Sequence, residues 1–145
     1  MHKKLRGNMQ KLSKGHDGSF RQFTTKAKIT SSPAVTSDGD LICVGSHDGK
    51  IYGWNASTGS LKWSFETEGA VHSSPAVSLD SLTVFVGSKD HRIYALYAGT
   101  GTLKWVFSTR GIVDSSPLVS SDSMAVAEHA SVLAGGTECP SLSPC

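Results

Sequence analysis

The 145-residue sequence lacks long apolar runs and any marked excess of charge of one sign. No window approaches the 18 consecutive apolar residues of a transmembrane helix, so no membrane span is predicted. No apolar stretch follows the basic first residues, so no secretory signal peptide is predicted and the chain is expected to be cytoplasmic. The formal net charge of +2 lacks the clustered basic excess of a nucleic-acid binder, and no nucleic-acid partner is expected.

Cysteine is also scarce. The three cysteines, Cys43, Cys139 and Cys145, are odd in number and irregularly spaced. This pattern indicates neither a disulfide framework nor a zinc site. Cys43 is expected to pack as a small apolar residue in a strand.

What the sequence does contain is a repeat. The tripeptide Ser-Ser-Pro occurs at residues 31–33, 73–75 and 115–117, at a fixed interval of 42 residues. When residues 31–66 are aligned with residues 73–108 without a gap, 19 of 36 positions are identical. A period of this length with strand-like content is typical of β-propeller blades.

Each period contains four short extended runs separated by turn residues, which predicts a four-stranded antiparallel sheet. The second run of each period is apolar or small on both faces, as expected of a sheet covered on both sides by neighbouring blades. Asp48-Gly49 gives the strongest hairpin signal, and Asp90-His91 takes its place one period later. In the first period the predicted strands are Ser32–Val35, Leu41–Ser46, Lys50–Asn55 and Leu61–Glu66. An isolated strand at Phe20–Thr25 is predicted before them.

The repeated motif is similar to that of the pyrroloquinoline-quinone-type β-propeller proteins. It reads Val-Gly-Ser-x-Asp, then Tyr, then a Thr-Gly turn, then Lys-Trp. The resemblance implies that each Trp stacks over the Thr-Gly turn of a neighbouring blade and donates its indole N–H to a main-chain carbonyl. The residues that it assigns to blade docking are Trp63, Trp105, Thr58, Gly59, Thr100 and Gly101.

The sequence departs from the family pattern at three positions. Asn55 and Tyr97 stand where the family usually has the Asp that braces the Thr-Gly turn, so the brace is expected in altered form once and lost once. Arg21 stands at the Trp position one period before Trp63. The piece before blade one is therefore expected to be the decayed end of a missing blade.

The predicted fold is all-β, a partial propeller of stacked four-stranded blades with irregular tails. Residues 20–123 are assigned to the repeats, with full blades at 31–66 and 73–108 and the start of a third at 115–119. Residues 1–19 are expected to be a disordered basic tail. Residues 124–145 are expected to be a divergent disordered tail, because Glu128 and His129 replace apolar and Gly positions of the repeat.

No catalytic, cofactor-binding or metal-ligating residues are assigned. His47 and His91 fall in predicted hairpin turns, and no two histidines have metal-ligand spacing. Asp48 and Asp90 are interpreted as residues that bond their own turns rather than as calcium ligands. The Ser-Ser-Pro triplets lack an adjacent His or Asp and are interpreted as the openings of inner strands.

Two classes of function remain open. The favoured hypothesis is a non-catalytic propeller module that binds a protein partner or itself, without a cofactor and as a fragment of a larger propeller. The alternatives are a fragment of a quinone-dependent alcohol or sugar dehydrogenase, or of the C-terminal propeller of an adenylating aminoadipate-semialdehyde-dehydrogenase-like enzyme. Such dehydrogenases are implied to carry adjacent cysteines and Glu, Asn and Asp ligands, whereas this chain has no adjacent cysteines and its repeat region has only two glutamates, Glu66 and Glu68.

Self-association is expected from the open ends of the array. Two blades without caps should leave apolar positions such as Val84, Val86 and Phe107 facing water unless another chain or the tail shields them. Burial of such positions between chains should survive high salt, because apolar contacts are not screened.

Overall fold

The computed structural model describes the backbone of residues 10–14, 20–120, 125–127 and 130–134, and the side chains of residues 22–120. In these ranges no helix is long and apolar enough to cross a membrane. The described residues form thirteen strands: β1 Gln10–Lys14, β2 Phe20–Thr24, β3 Ala34–Val35, β4 Leu41–Gly45, β5 Lys50–Asn55, β6 Leu61–Glu66, β7 Ala76–Val77, β8 Thr83–Ser88, β9 Arg92–Tyr97, β10 Leu103–Ser108, β11 Leu118–Val119, β12 Ala125–Ala127 and β13 Ala130–Ala134.

Two four-stranded antiparallel sheets make up the centre of the chain. Blade 1 has the strand order β3-β4-β5-β6 and blade 2 the order β7-β8-β9-β10, each a meander of successive hairpins. The prediction of two such sheets is confirmed. The inner strand begins later than predicted, at Ala34 instead of Ser32. Pro33 has no backbone N–H to give to the ladder, and the pairing starts after it.

Further strands lie on either side of these blades, which differs from the expected tails. Residues 10–14 form β1, which pairs with β2, so the strand at Phe20–Thr24 is not isolated. Strands β12 and β13 continue the sheet that β11 begins. Strands β1 and β12 lie about one period from β5 and β8, so both occupy strand positions of the repeat although their residues depart from its motif. The rest of the two expected tails, including Glu128 and His129, lies outside the described residues.

Strand β8 is buried along its whole length and contributes to two different apolar layers. Val84 and Val86 face blade 1, and Phe85 faces the other way, because successive side chains of a strand alternate between faces. The expectation that Val84 and Val86 face water is therefore wrong. Phe107 is half-buried in the layer on the far side of blade 2.

Three apolar layers follow one another along the array. The layer between blades 1 and 2 is formed by Leu41, Cys43, Ile51, Trp63, Val71, Val84, Val86, Tyr94, Leu96 and Ala98. The layer before blade 1 is formed by Phe23, Ile29, Ile42, Val44, Tyr52 and Trp54. The layer after blade 2 is formed by Phe85, Ile93, Ala95, Trp105 and Val113. Cys43 is fully buried, as expected, and burial raises the pKa of its thiol to about 12.

The Gly of each Val-Gly-Ser motif marks a close approach between successive blades. Val71 packs directly over Gly45, and Val113 packs over Gly87 in the same way one period later. A Cβ atom at either glycine would overlap the valine side chain and approach the backbone behind it. The glycine is therefore required by the distance between the strand and the segment that enters the next blade.

We expect Gly87→Ala to lower the free energy of unfolding by about 1–3 kcal/mol, since the added methyl has to displace Val113. Gly99→Ala is the matched control, because a Cβ there has nothing within 4 Å. Urea denaturation of the two variants measures the difference. Equal stability of both variants would contradict the packing described here.

Candidate functional site

The junction between blades 1 and 2 is held by Trp63. This residue lies on β6, is 7% exposed, and donates its Nε1–H to the carbonyl of Ala98 at 2.7 Å. The indole stacks on Gly101, which has a φ of 70° and has no room for a Cβ atom. Gly101 is thus required both by its backbone angle and by the ring above it. The structure thus brings Trp63 of blade 1 together with the Thr100-Gly101 turn of blade 2.

Trp105 occupies the same position on β10, at the far side of blade 2. It is 5% exposed and packs against the ring of Phe85, with centroids 5.9 Å apart. In contrast to Trp63, its Nε1–H meets no acceptor among the residues that the structure describes. The two tryptophans therefore share a position and a degree of burial but differ in their hydrogen bonding.

The Thr58-Gly59 turn of blade 1 is braced by a side chain. Asn55 Oδ1 accepts hydrogen bonds from the amide of Thr58 at 2.8 Å and from its hydroxyl at 3.0 Å. Blade 2 has Tyr97 at the equivalent position, and there the amide of Thr100 donates to the main-chain carbonyl of Tyr97 at 3.3 Å. In blade 1 the turn is thus braced by the side-chain amide of Asn55, and in blade 2 a backbone hydrogen bond takes its place.

The repeated aspartates tie each blade to the segment before it. Asp48 Oδ2 accepts from the amide of Lys26 at 3.0 Å and from the Tyr52 hydroxyl at 2.8 Å. Asp90 Oδ2 makes the corresponding bonds one period later, with the amide of Glu68 at 3.0 Å and the Tyr94 hydroxyl at 2.6 Å. These carboxylates hold two chain segments together through one oxygen.

Each aspartate also helps to raise the pKa of the tyrosine whose hydroxyl donates to it. Burial, and then the hydrogen bond to Asp90, raises the pKa of Tyr94 to about 12. Burial and the bond to Asp48 raise the pKa of Tyr52 well above its usual range. Both phenols are therefore stabilised in the neutral, donating form in the folded chain.

The Ser-Ser-Pro triplets join successive blades, a role that the sequence analysis missed. Ser31, the first serine, donates its hydroxyl to the carbonyl of Gly45 at 2.9 Å and accepts from the Gly45 amide at 3.0 Å. The second serine reaches the neighbouring blade, since Ser74 Oγ accepts from the Ser32 amide at 2.8 Å. Ser116 Oγ accepts from the Ser74 amide at 3.1 Å in the same way.

The signal for this role was the repetition of two adjacent serines. One hydroxyl can brace the strand that follows, but the second is needed only if a neighbouring triplet lies within reach. The inner strands β3, β7 and β11 do lie beside one another and so bring the triplets together.

Within residues 22–120 no three His, Cys, Asp or Glu side chains come together in a group able to hold a metal ion. Glu66 and Glu68, the two glutamates of the repeat region, each lie near a cationic side chain instead. Glu66 lies 3.8 Å from Lys50, and Glu68 lies 2.8 Å from Arg92. The repeated polar residues of the described segment thus bond mainly to the chain itself.

Comparison with known proteins places this geometry in a family. A family model described as the outer membrane protein assembly factor BamB matches residues 8–141. The chain belongs to this family. The predicted resemblance to propeller proteins with pyrroloquinoline-quinone-like repeats is thereby confirmed.

The crystal structure of BamB from Moraxella catarrhalis is similar to this fold, with a TM-score of 0.66 and 24% sequence identity. The match covers 85% of this chain and 39% of that one, so the chain spans about two fifths of the length of that structure. This likeness confirms the predicted all-β, partial-propeller fold. A search of curated proteins finds no match.

The two tryptophans provide a matched test of the docking bond. Trp63→Phe should cost about 1–3 kcal/mol more than Trp105→Phe, because only the first change leaves a buried carbonyl without its donor. Both changes remove a similar apolar area, so the difference reports the bond between the Trp63 indole and Ala98. Chemical denaturation of both variants measures it, and equal losses would argue against the docking role of Trp63.

The raised tyrosine pKa predicts a loss of stability in base. The folded pKa of Tyr94 lies above its unfolded value of 10.0, so this stabilisation is complete below about pH 10 and lost as pH rises through 12. Tyr94→Phe should remove that part of the pH dependence, and Asp90→Asn should lower the midpoint of phenolate formation. Phenolate absorbance and thermal melts across this window measure both effects. An unchanged profile in Tyr94→Phe would count against this assignment.

Proposed function

We propose that this chain is a non-catalytic section of a β-propeller that binds another protein through one end of blade 2. The turn between β7 and β8 and the turn between β9 and β10 lie side by side at this end, where the amide of Ala98 donates to the carbonyl of Leu82 at 2.9 Å. Four large apolar residues are exposed there and define the apolar turn surface: Leu79 (63%), Leu82 (63%), Tyr97 (47%) and Leu103 (45%).

The observation that carries the proposal is the difference between the two blades at these positions. Blade 1 has Ser37, Asp40 and Asn55 where blade 2 has Leu79, Leu82 and Tyr97. The two blades have the same strand order and nearly the same strand bounds, so the fold does not require apolar residues in these turns. Clustered apolar side chains that the fold does not need are typical of protein-binding surfaces.

Two further observations support a non-catalytic role. The recurring residues of the repeat act in blade docking, as Trp63, Asp48 and Ser74 show. Glu66 and Glu68, the two glutamates of the repeat region, are paired with Lys50 and Arg92 at the surface. The matching family model is described as an outer membrane protein assembly factor, which agrees with such a role.

A site-specific cross-linking experiment tests the proposal. A photoreactive phenylalanine analogue is placed at Leu82, the full chain is expressed in its native cell, and adducts are identified by mass spectrometry. We expect one defined adduct, with a partner protein or with a second copy of the chain. The same probe at Asp40, the equivalent position of blade 1, should give none.

The matched competitor is a chain in which Leu79→Ser, Leu82→Asp and Tyr97→Asn give blade 2 the turn residues of blade 1. This variant should keep the thermal stability of the parent chain, because all three positions are exposed. It should lose the ability to compete for the adduct. Equal adducts from both blades, or full competition by the variant, would contradict the proposed surface.

A further inference from the structure

A stacked pair of histidines crosses the junction between blades 1 and 2. His47 lies in the turn between β4 and β5, and His72 lies in the segment between β6 and β7. Their ring centroids are 3.7 Å apart and their planes differ by 10°. On its outer side, His47 Nε2 is 2.8 Å from the hydroxyl oxygen of Thr30. Such a stack requires at least one neutral ring, because two positive charges at this distance repel each other.

The next junction uses the same two repeat positions in a different way. Lys89 lies 42 residues after His47, and Asp114 lies 42 residues after His72. Lys89 Nζ is 3.9 Å from Asp114 Oδ2, which makes an ion pair of opposite charge. The fold therefore accepts a pair of opposite charge at these positions. Of the two junctions at which the structure describes both positions, only the first has a pair of histidines.

The charges around His47 disfavour its protonated form. The ionisable groups that face it or lie beside it are Lys28, Asp48, Glu68, His72, Lys89 and Asp114. The carboxylates of Asp48 and Glu68 already accept bonds from other groups. Asp114, whose charge favours protonated His47, lies 3.9 Å from His72 Nδ1. Burial first, and then His72, Lys28 and Lys89, lowers the pKa of His47.

The lowered pKa of His47 determines how the stability of this junction depends on pH. A folded-state pKa below the usual histidine value of 6.5 means that the folded chain prefers the neutral ring. The stabilisation is complete above 6.5 and lost as pH falls through the folded-state pKa. Acid should therefore weaken this junction, whereas the second junction has no histidine at these two positions.

The histidines flank a backbone bond that joins the two blades. The amide of Val71 donates to the carbonyl of Ser46 at 3.0 Å, and these residues precede His72 and His47 in the chain. Repulsion between the rings thus acts on the same two segments that this bond connects. We propose that the His47–His72 pair is a pH-sensitive clasp, which holds blade 1 to blade 2 while neutral and loosens that junction when both rings are protonated.

Hydrogen exchange of two equivalent amides in the full chain tests the clasp. Val71 reports on the first junction, and Val113, whose amide donates to the Ser88 carbonyl at 3.1 Å, reports on the second. Between about pH 7.5 and about pH 5, and after correction for intrinsic rates, we expect the protection of Val71 to fall about tenfold. The protection of Val113 should stay nearly constant, and equal losses at both amides would overturn the proposal.

Two variants connect the effect to the rings. His47→Gln should abolish the loss of Val71 protection in acid. The double variant His47→Lys, His72→Asp copies the second junction and should abolish it as well. His91→Asn, at an exposed turn position with a φ of 67°, is the control and should behave like the parent chain. A loss that persists in His47→Gln would contradict the clasp.

A measurement on the unaltered chain remains decisive if a variant fails to fold. The NMR titration of His47 should have its midpoint below 6.5, and its ring signals should shift together with the amide of Val71. A midpoint at or above 6.5, or a Val71 amide that does not respond, would overturn the proposal.

Discussion

The constraint on which this structure depends is that each blade has two apolar faces and must have both covered. Blade 1 alternates Ile42 and Val44 on one face with Cys43 on the other, and each set enters a different core layer. Because the layers are shared, no blade is a separate folding unit in the usual sense. The Trp63 indole fixes the distance between blades 1 and 2, since it fills the gap between them and donates its N–H to the Ala98 carbonyl.

Much of the fold could be predicted from the sequence because its signals are local and occur twice. The Asp48-Gly49 hairpin and the alternation around it set the bounds of β5 and β6 to the residue. Strands such as β1 were missed because their residues depart from the repeated motif, although β1 lies about one period before β5. The outward assignment of Val84 failed for another reason, since a buried strand's sequence does not say which neighbour each face meets.

The docking residues were predicted unevenly. Trp63 and Gly101 were assigned to docking because the repeated motif resembles that of a known propeller family. Ser74 was not recognised, because a serine before a proline is common at strand openings and its partner lies 42 residues away. Hydrogen bonds between repeats are invisible to any analysis of one repeat at a time.

The two blades also act as controls for each other. The main docking positions carry the same residue in both blades, whereas the histidine pair and three residues of the apolar turn surface occur at positions where the blades differ. Such differences are where function can be sought in a repeat array. The central claim, that the Trp63 indole docks blade 1 onto blade 2, is tested most directly by NMR of its indole proton. The account predicts slow exchange with solvent and contacts to Ala98 and Gly101, and rapid exchange without those contacts would contradict it.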